Sequence, residues 1–352
     1  MIRLSDYLIN SDLSILCALD KLNKLSAAGL TLFVVNADNK LIGSITDGDI
    51  RRALVSGACL TDTVVGIMNG HPMFLTSNDS ISNVYKYRQC RLKNINAIPV
   101  IDENGCVVDV RDVHKYQSCI DVSAVLMAGG KGIRLRPLTE HCPKPLLKVG
   151  SKAIIDYNIE RLASYGVRDM YVTVNYLKEQ IISHFTAPIM DVQVKCVVES
   201  DFLGTIGAVS LIPELRCDTV LVMNSDLFSN IDFEAFYLHF IENNADMSVA
   251  VVPYSVSIPY GIVNVDGHNI VGLQEKPVYN YYANAGMYMI KKKMLSYIPE
   301  NKVFNATDMI QLLIEQKKNV IRFPISGYWI DIGKKEEYDK ACDIARHWIG
   351  DY

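Results

Sequence analysis

Leu126-Met127-Ala128-Gly129-Gly130-Lys131-Gly132-Ile133-Arg134-Leu135, running on through Arg136-Pro137-Leu138-Thr139 to Pro143-Lys144-Pro145, is the stretch on which the reading of this 352-residue chain turns. An apolar run over 122–127 breaks into three glycines in four residues, and two cations, Arg134 and Lys144, follow ten residues apart. Glycines let backbone N–H groups approach a ligand closely, and cations neutralise a polyphosphate. The spacing is not that of a P-loop, which ends in Gly-Lys-Ser/Thr. Nor is it a dinucleotide fingerprint, because the second half fails and no acidic residue is placed for a ribose. Proline on both sides of Lys144 fixes the backbone that aims its ammonium.

Outward from the loop, apolar runs at 122–127, 170–174, 192–198 and 220–223 carry the β-branched content of strands. Helical patterns intervene over 153–165 and 177–185. This alternation predicts a Rossmann-like α/β/α domain with a mostly parallel sheet covered on both faces. Ligands of such sheets bind outside the carboxyl ends of the strands, where the glycine loop lies.

The composition is that of a folded domain protein, with 49% apolar and 21% charged residues. A net charge of −4 argues against a nucleic-acid or anionic-membrane surface, so any anion site is local. No run reaches the roughly 18 apolar residues of a membrane span, and Met1-Ile2-Arg3-Leu4-Ser5-Asp6 lacks the order of a signal peptide. Nine scattered cysteines without a C-x-x-C pair read as reduced thiols of a cytoplasmic protein.

Residues 1–118 contain a repeat. Leu32-Phe33-Val34-Val35-Asn36-Ala37-Asp38-Asn39 returns as Ile98-Pro99-Val100-Ile101-Asp102-Glu103-Asn104-Gly105, 66 residues later. A helical pattern precedes each copy: Leu13, Leu16, Leu19, Leu22 and Leu25, then Ile81, Val84, Tyr85 and Tyr87. A tight turn and a second short strand follow each. One such unit is too small to bury its own face, so two copies are expected to stack. The arrangement resembles a tandem pair of CBS domains, and Gly43-Ser44-Ile45-Thr46-Asp47-Gly48-Asp49-Ile50 carries the likeness. The resemblance implies a regulatory adenine nucleotide held through Thr46 and Asp49; alternatively Asp49 only caps the helix over 50–55. In the second copy the corresponding places hold Asp109, Asp112 and Lys115, so only the first cleft keeps the pattern.

Beyond the loop come Phe202-Leu203-Gly204-Thr205-Ile206-Gly207, Met223-Asn224-Ser225-Asp226, Glu275-Lys276-Pro277, Asn284-Ala285-Gly286-Met287-Tyr288 and Tyr328-Trp329-Ile330-Asp331-Ile332-Gly333. In this order, over about residues 121–348, they resemble the sugar-1-phosphate nucleotidyltransferases. That family condenses an NTP with a sugar 1-phosphate, with Mg²⁺, to give an NDP-sugar and pyrophosphate. The resemblance implies catalytic roles for Arg134 and Lys144, and a nucleotide site of Ala128, Gly129, Gly130, Gly132, Glu199, Gly204 and Thr205. It implies a sugar-phosphate site of Gly261, Glu275, Lys276 and Asn284, and metal ligation by Asp226 and Asp331. The chemistry suits these types: a phosphate dianion needs no general base, only alignment and relief of charge repulsion. Hard carboxylate oxygens suit Mg²⁺.

Two positions depart from the family pattern, Ile133 for a threonine and Ser225 for a glycine, and neither removes a charge. Glu199 can accept two hydrogen bonds, which matches the N1–H and N2–H₂ edge of guanine and leans towards GTP. The order of a CBS pair before the transferase resembles bacterial guanylyltransferases that act on glucosamine 1-phosphate, in legionaminic acid synthesis, or on mannose 1-phosphate. Thymidylyl or cytidylyl transfer is the alternative within the class. A nucleotide sensor with an inactive transferase half is the alternative outside it, opposed by the survival of Arg134, Lys144, Asp226, Lys276 and Asp331. A homo-oligomer is expected.

Overall fold

The computed structural model describes residues 4–25, 31–77 and 80–349. Met1, Ile2 and Arg3, read above for a leader, lie outside the described residues. The chain divides into two compact units, Met1–Asp121 with Ser164–Gly166, and Val122–Ala163 with Val167–Tyr352. Among the described residues no disulfide forms and no helix is long and apolar enough to cross a membrane.

The first unit is built from α1 (Leu4–Tyr7), β1 (Leu8–Asn10), α2 (Ile15–Lys24), β2 (Thr31–Val35), β3 (Leu41–Thr46), α3 (Asp47–Val55), β4 (Leu75–Thr76), α4 (Ser80–Leu92), β5 (Ala97–Ile101) and β6 (Val107–Asp112). They form two three-stranded sheets, β1-β2-β3 and β4-β5-β6. The repeat holds to the residue: Ile9 pairs with Val34 as Leu75 pairs with Val100, 66 positions on. Both copies are bulged at the same place, after Val34 and after Val100. The two turns also bond reciprocally, the Leu41 N–H donating to the Gly105 carbonyl and the Val107 N–H to the Asn39 carbonyl.

The leucine series before the first copy is only partly a core stripe. Ile15, Ala18, Leu22 and Leu25 are buried, whereas Leu13 and Leu16 are exposed. A strict three-residue spacing drifts around a helix of 3.6 residues per turn, so the series cannot stay on one face. Likewise Val84 and Tyr87 are buried in α4 while Ile81 and Tyr85 are exposed.

The second unit continues with β7 (Ser123–Met127), β8 (Lys148–Val149), β9 (Lys152–Ala153), α5 (Ile154–Ser164), β10 (Asp169–Val174), α6 (Lys178–His184), β11 (Lys195–Val198), β12 (Thr219–Asn224), β13 (Leu227–Ser229) and α7 (Phe233–Glu242). It closes with β14 (Met247–Ser257), β15 (Ile262–Asp266), β16 (Asn269–Gln274), β17 (Val278–Lys291), α8 (Ala306–Glu315), β18 (Val320–Pro324), β19 (Trp329–Asp331) and α9 (Lys335–Ile349). Seven strands form one sheet in the order β11-β10-β7-β12-β17-β14-β18. Six share a direction and β17 alone runs against them. The strand runs read from the sequence are thus the parallel half, and β17 and the exposed stretch around it were not legible as runs.

The central strands are apolar on both faces: Val125, Val220, Val222, Met247, Tyr288 and Ile290 join Met309 and Leu313 of α8 in one core. Each such side chain contributes roughly 1.5–3 kcal/mol by leaving water. A second cluster matters more for the site. Leu135, Phe228 and Ile332 pack with Ala341 and Ala345 of α9, so the segments that carry Arg134, Asp226 and Asp331 share one apolar anchor.

Candidate active site

β7 delivers the chain to Met127 at the carboxyl end of the sheet, and the glycine loop follows. Gly132 adopts φ +59, the left-handed region, and a Cβ there would stand 3.1 Å from Thr139 and 3.2 Å from Lys144. Glycine is needed on both counts. Thr139 Oγ1 donates to the Gly132 carbonyl at 2.8 Å and closes the loop. A 3-10 turn, Ile133–Leu135, then sets Arg134, whose guanidinium lies over Gly333. Ile133 is 62% exposed on the cavity wall.

A second 3-10 turn, Lys144–Leu146, begins after Pro143 and buries Lys144. Its Nζ ion-pairs with Asp226 Oδ2 and lies 3.7 Å from Asp331 Oδ1. The sheet explains the convergence. Asp226 follows the end of β12, and the pairing of Leu227 with Asp331 brings the end of β19 beside it. A strand, not a helix, follows Asp226, so it is not a cap. Burial, then the charge of Asp226, pushes the Asp331 carboxyl upward, against the pull of Lys144 and Arg134. Asp226 Oδ1 is buried and has no hydrogen-bond partner. An orphaned carboxylate oxygen beside a second carboxylate fits a hard cation, and Mg²⁺ commonly takes one or two carboxylates plus phosphate oxygens.

These groups border a cavity of about 640 Å³, lined by the loop from Met127 to Arg134, by Lys144 and Asp226, and on its far side by Glu199, Gly204 and Thr205. Glu199 is 3% exposed. It accepts the Leu203 N–H at 3.2 Å, and burial pushes its carboxyl upward while that bond and the Thr173 hydroxyl oppose the shift. A Cβ on Gly129 would stand 2.6 Å from Glu199 Oε1, so the bare backbone of the loop is what admits this carboxylate. The cavity therefore has a cationic end at Arg134 and Lys144 and an acceptor end at Glu199.

A model of the family described as nucleotidyl transferase matches residues 123–346. The chain belongs to the nucleotidyl transferase family. A CBS domain model matches residues 5–56. The chain is similar to the bifunctional protein GlmU of Methanocaldococcus jannaschii, at 33% identity over 60% of this chain and 52% of that protein. It is also similar to a mannose-1-phosphate guanyltransferase of Yarrowia lipolytica, at 30% identity over 62% of each chain. The chain thus spans about half to three fifths of the length of these relatives. Among solved structures, HddC from Yersinia pseudotuberculosis, 25% identical, superposes with a TM-score of 0.51 over 63% of this chain and 98% of its own. The same protein complexed with GMP-PN gives a TM-score of 0.50.

Other residues of the nucleotidyl transferase domain that border the cavity escaped the sequence reading: Thr173, Asn175, Phe202, Asn224 and Ser225. The carboxyl ends of β10 and β12, flanking β7, were the available signal. Ser225 has a defined task, since its Oγ donates to the Met127 carbonyl at 2.6 Å and ties the end of β12 to that of β7.

The predicted sugar side is not brought to this cavity. Gly261, Glu275, Lys276 and Asn284 are exposed and none lines it. Two of them do meet, because the Glu275 carboxylate lies against the Gly261 backbone, 3.0 Å from where a Cβ would stand. Lys276 holds φ +44 before Pro277. Asn284 Oδ1 accepts the Gly286 N–H at 3.0 Å, and its amide donates to Tyr288.

In the first unit, Thr46 and Asp49 form a reciprocal capping box on α3. Asp49 Oδ2 accepts from the Thr46 N–H at 2.8 Å and its hydroxyl at 2.7 Å, and Oδ1 pairs with Arg52 at 2.5 Å. The capping role is therefore filled, and both residues also border a cavity of about 700 Å³ with Phe33, His71 and Asn96. In the second copy Asp112 Oδ1 accepts the N–H groups of His114 and Lys115, and no helix follows.

Proposed function

We propose that this chain is a sugar-1-phosphate nucleotidyltransferase that draws its nucleotide from GTP. The observation that carries the reading is the cavity itself, cationic at Arg134 and Lys144, with paired carboxylates below and a buried acceptor at Glu199. A sugar 1-phosphate oxygen attacks the α-phosphorus, one P–O bond forms, and the α–β bridging bond breaks with its electron pair leaving on pyrophosphate. Lys144 turns from Asp226 to the α-phosphate, and Arg134 holds the departing pyrophosphate. The loop N–H groups of Ala128, Gly129, Gly130 and Gly132 orient the phosphates. Asp226 and Asp331 would hold Mg²⁺, which when bound supplies charge neutralisation of the phosphates.

Glu199 reads the guanine N1–H and N2–H₂ edge, with Gly204 and Thr205 beside it. The HddC complex with GMP-PN and the guanyltransferase relative support that choice of base. Glu275, Gly261, Lys276 and Asn284 bind the sugar phosphate, a hexose or hexosamine such as glucosamine 1-phosphate or mannose 1-phosphate. The product serves surface-glycan or nonulosonic acid synthesis in the cytoplasm. Residues 1–118 act as a tandem CBS pair that takes an adenine nucleotide at the Thr46–Asp49 cavity, and residues 121–348 carry the transfer.

The test is pyrophosphate release from a panel of NTPs and sugar 1-phosphates. Turnover with GTP and a hexose or hexosamine 1-phosphate is expected. No turnover with any pair would sink the transferase reading, and preference for dTTP or CTP would sink the base assignment.

A further inference from the structure

The stretch 252–283 carries only three ionised side chains, Asp266, Glu275 and Lys276. It consists of the outer halves of β14 and β17 and the hairpin β15–β16. Antiparallel register places facing residues on one side of a ribbon. Val263 faces Leu273 and Val265 faces Ile270, and a bulge at residue 271 preserves the side on which the second pair falls. Four aliphatic side chains thus share one face of the hairpin, and they are 49%, 66%, 63% and 68% exposed in that order of naming. The other face is mostly polar, with Asn264, Gln274 and Asn269. On the adjoining arm Tyr254 faces Tyr281, and both are more than half exposed.

A two-stranded hairpin is marginal alone in water and needs its apolar face covered. β15 and β16 pair only with each other among the described residues, so both outer edges are open to a further strand. The near absence of charge selects against an acidic or basic partner. A face apolar throughout is complementary to itself, as a two-fold contact requires. These aliphatics and tyrosines expose on the order of 600 Å² per copy, near the ~800 Å² that each partner gives to a standard stable interface.

We propose that this hairpin face is covered by a second copy of the chain, giving a two-fold dimer. The inference does not depend on the transfer chemistry. Its test is sedimentation velocity of the full chain at low micromolar concentration. The expected mass is twice 39.4 kDa for the wild type and 39.4 kDa for V265D/L273D with native circular dichroism. The control V55D, on a residue 91% exposed in the first unit, stays dimeric. A monomeric wild type, or a folded V265D/L273D that dimerises as the wild type does, overturns the proposal. If the double variant loses its native spectrum, V263T carries the test, with a dimer dissociation constant expected to rise about tenfold. An unchanged constant overturns it.

Discussion

Gly129→Ala probes the cavity through a single methyl group. The Cβ would stand 2.6 Å from Glu199 Oε1 and 3.2 Å from its Cδ. Glu199 is no flexible surface end: it is buried, and the Leu203 N–H and the Thr173 hydroxyl hold it. The methyl must therefore drive the carboxylate off its position or strain the loop. Overpacking of this kind costs about 1–3 kcal/mol of folding stability. Losing a charge-assisted bond to the base costs about 1.5–3 kcal/mol, or roughly a 10- to 150-fold rise in KM for GTP. Steady-state kinetics on Gly129→Ala, Glu199→Gln and the double variant, with urea unfolding beside them, separate the two costs. Because both single changes act on the same carboxylate, the double variant should show little more KM effect than the worse single one. A folded Gly129→Ala with wild-type KM, or strictly additive effects, refutes the reasoning.

Asp226→Asn keeps the shape but removes the charge that Lys144 pairs with, so turnover should fall on the order of 10²-fold or more in a pyrophosphate-release assay while the fold persists. Ser225→Gly loses the bond to the Met127 carbonyl and should cost about 1–2 kcal/mol in denaturant unfolding, with kcat little changed. The raised carboxyl of Glu199 gives a pH prediction. Above its ordinary value of 4.5 and up to its raised value, the folded state binds more protons than the unfolded chain, so stability falls as pH rises through that window. Glu199→Gln should lose that part of the slope, and parallel stability–pH curves for variant and wild type would contradict the assignment.

The parallel half of the sheet was legible because its strands are buried on both faces and read as continuous apolar runs, and the glycine loop was legible because it follows one of them. The convergence of Lys144 with Asp226 and Asp331 was legible only through family resemblance. Those residues lie far apart in sequence, and it is the pairing of β13 with β19 that gathers them. The repeat was legible down to its 66-residue register, but its leucine stripe was over-read, since Leu13 and Leu16 belong to a spacing that winds off the buried face. The placement of Glu275 and Lys276 outside the cavity was not legible. They stand at the base of the hairpin, and the apolar alternation of β15 and β16 reads as a half-buried strand although nothing in the chain covers it.

The central claim is that the Arg134–Lys144 cavity directs attack to the α-phosphorus of an NTP. Its most direct measurement follows label from GTP in the presence of a hexose or hexosamine 1-phosphate. The account predicts that α-labelled phosphate enters the nucleotide sugar and γ-labelled phosphate leaves in pyrophosphate, with both transfers lost in Lys144→Met. Gamma label in the sugar product or in free orthophosphate, or transfer undiminished in Lys144→Met, would contradict it.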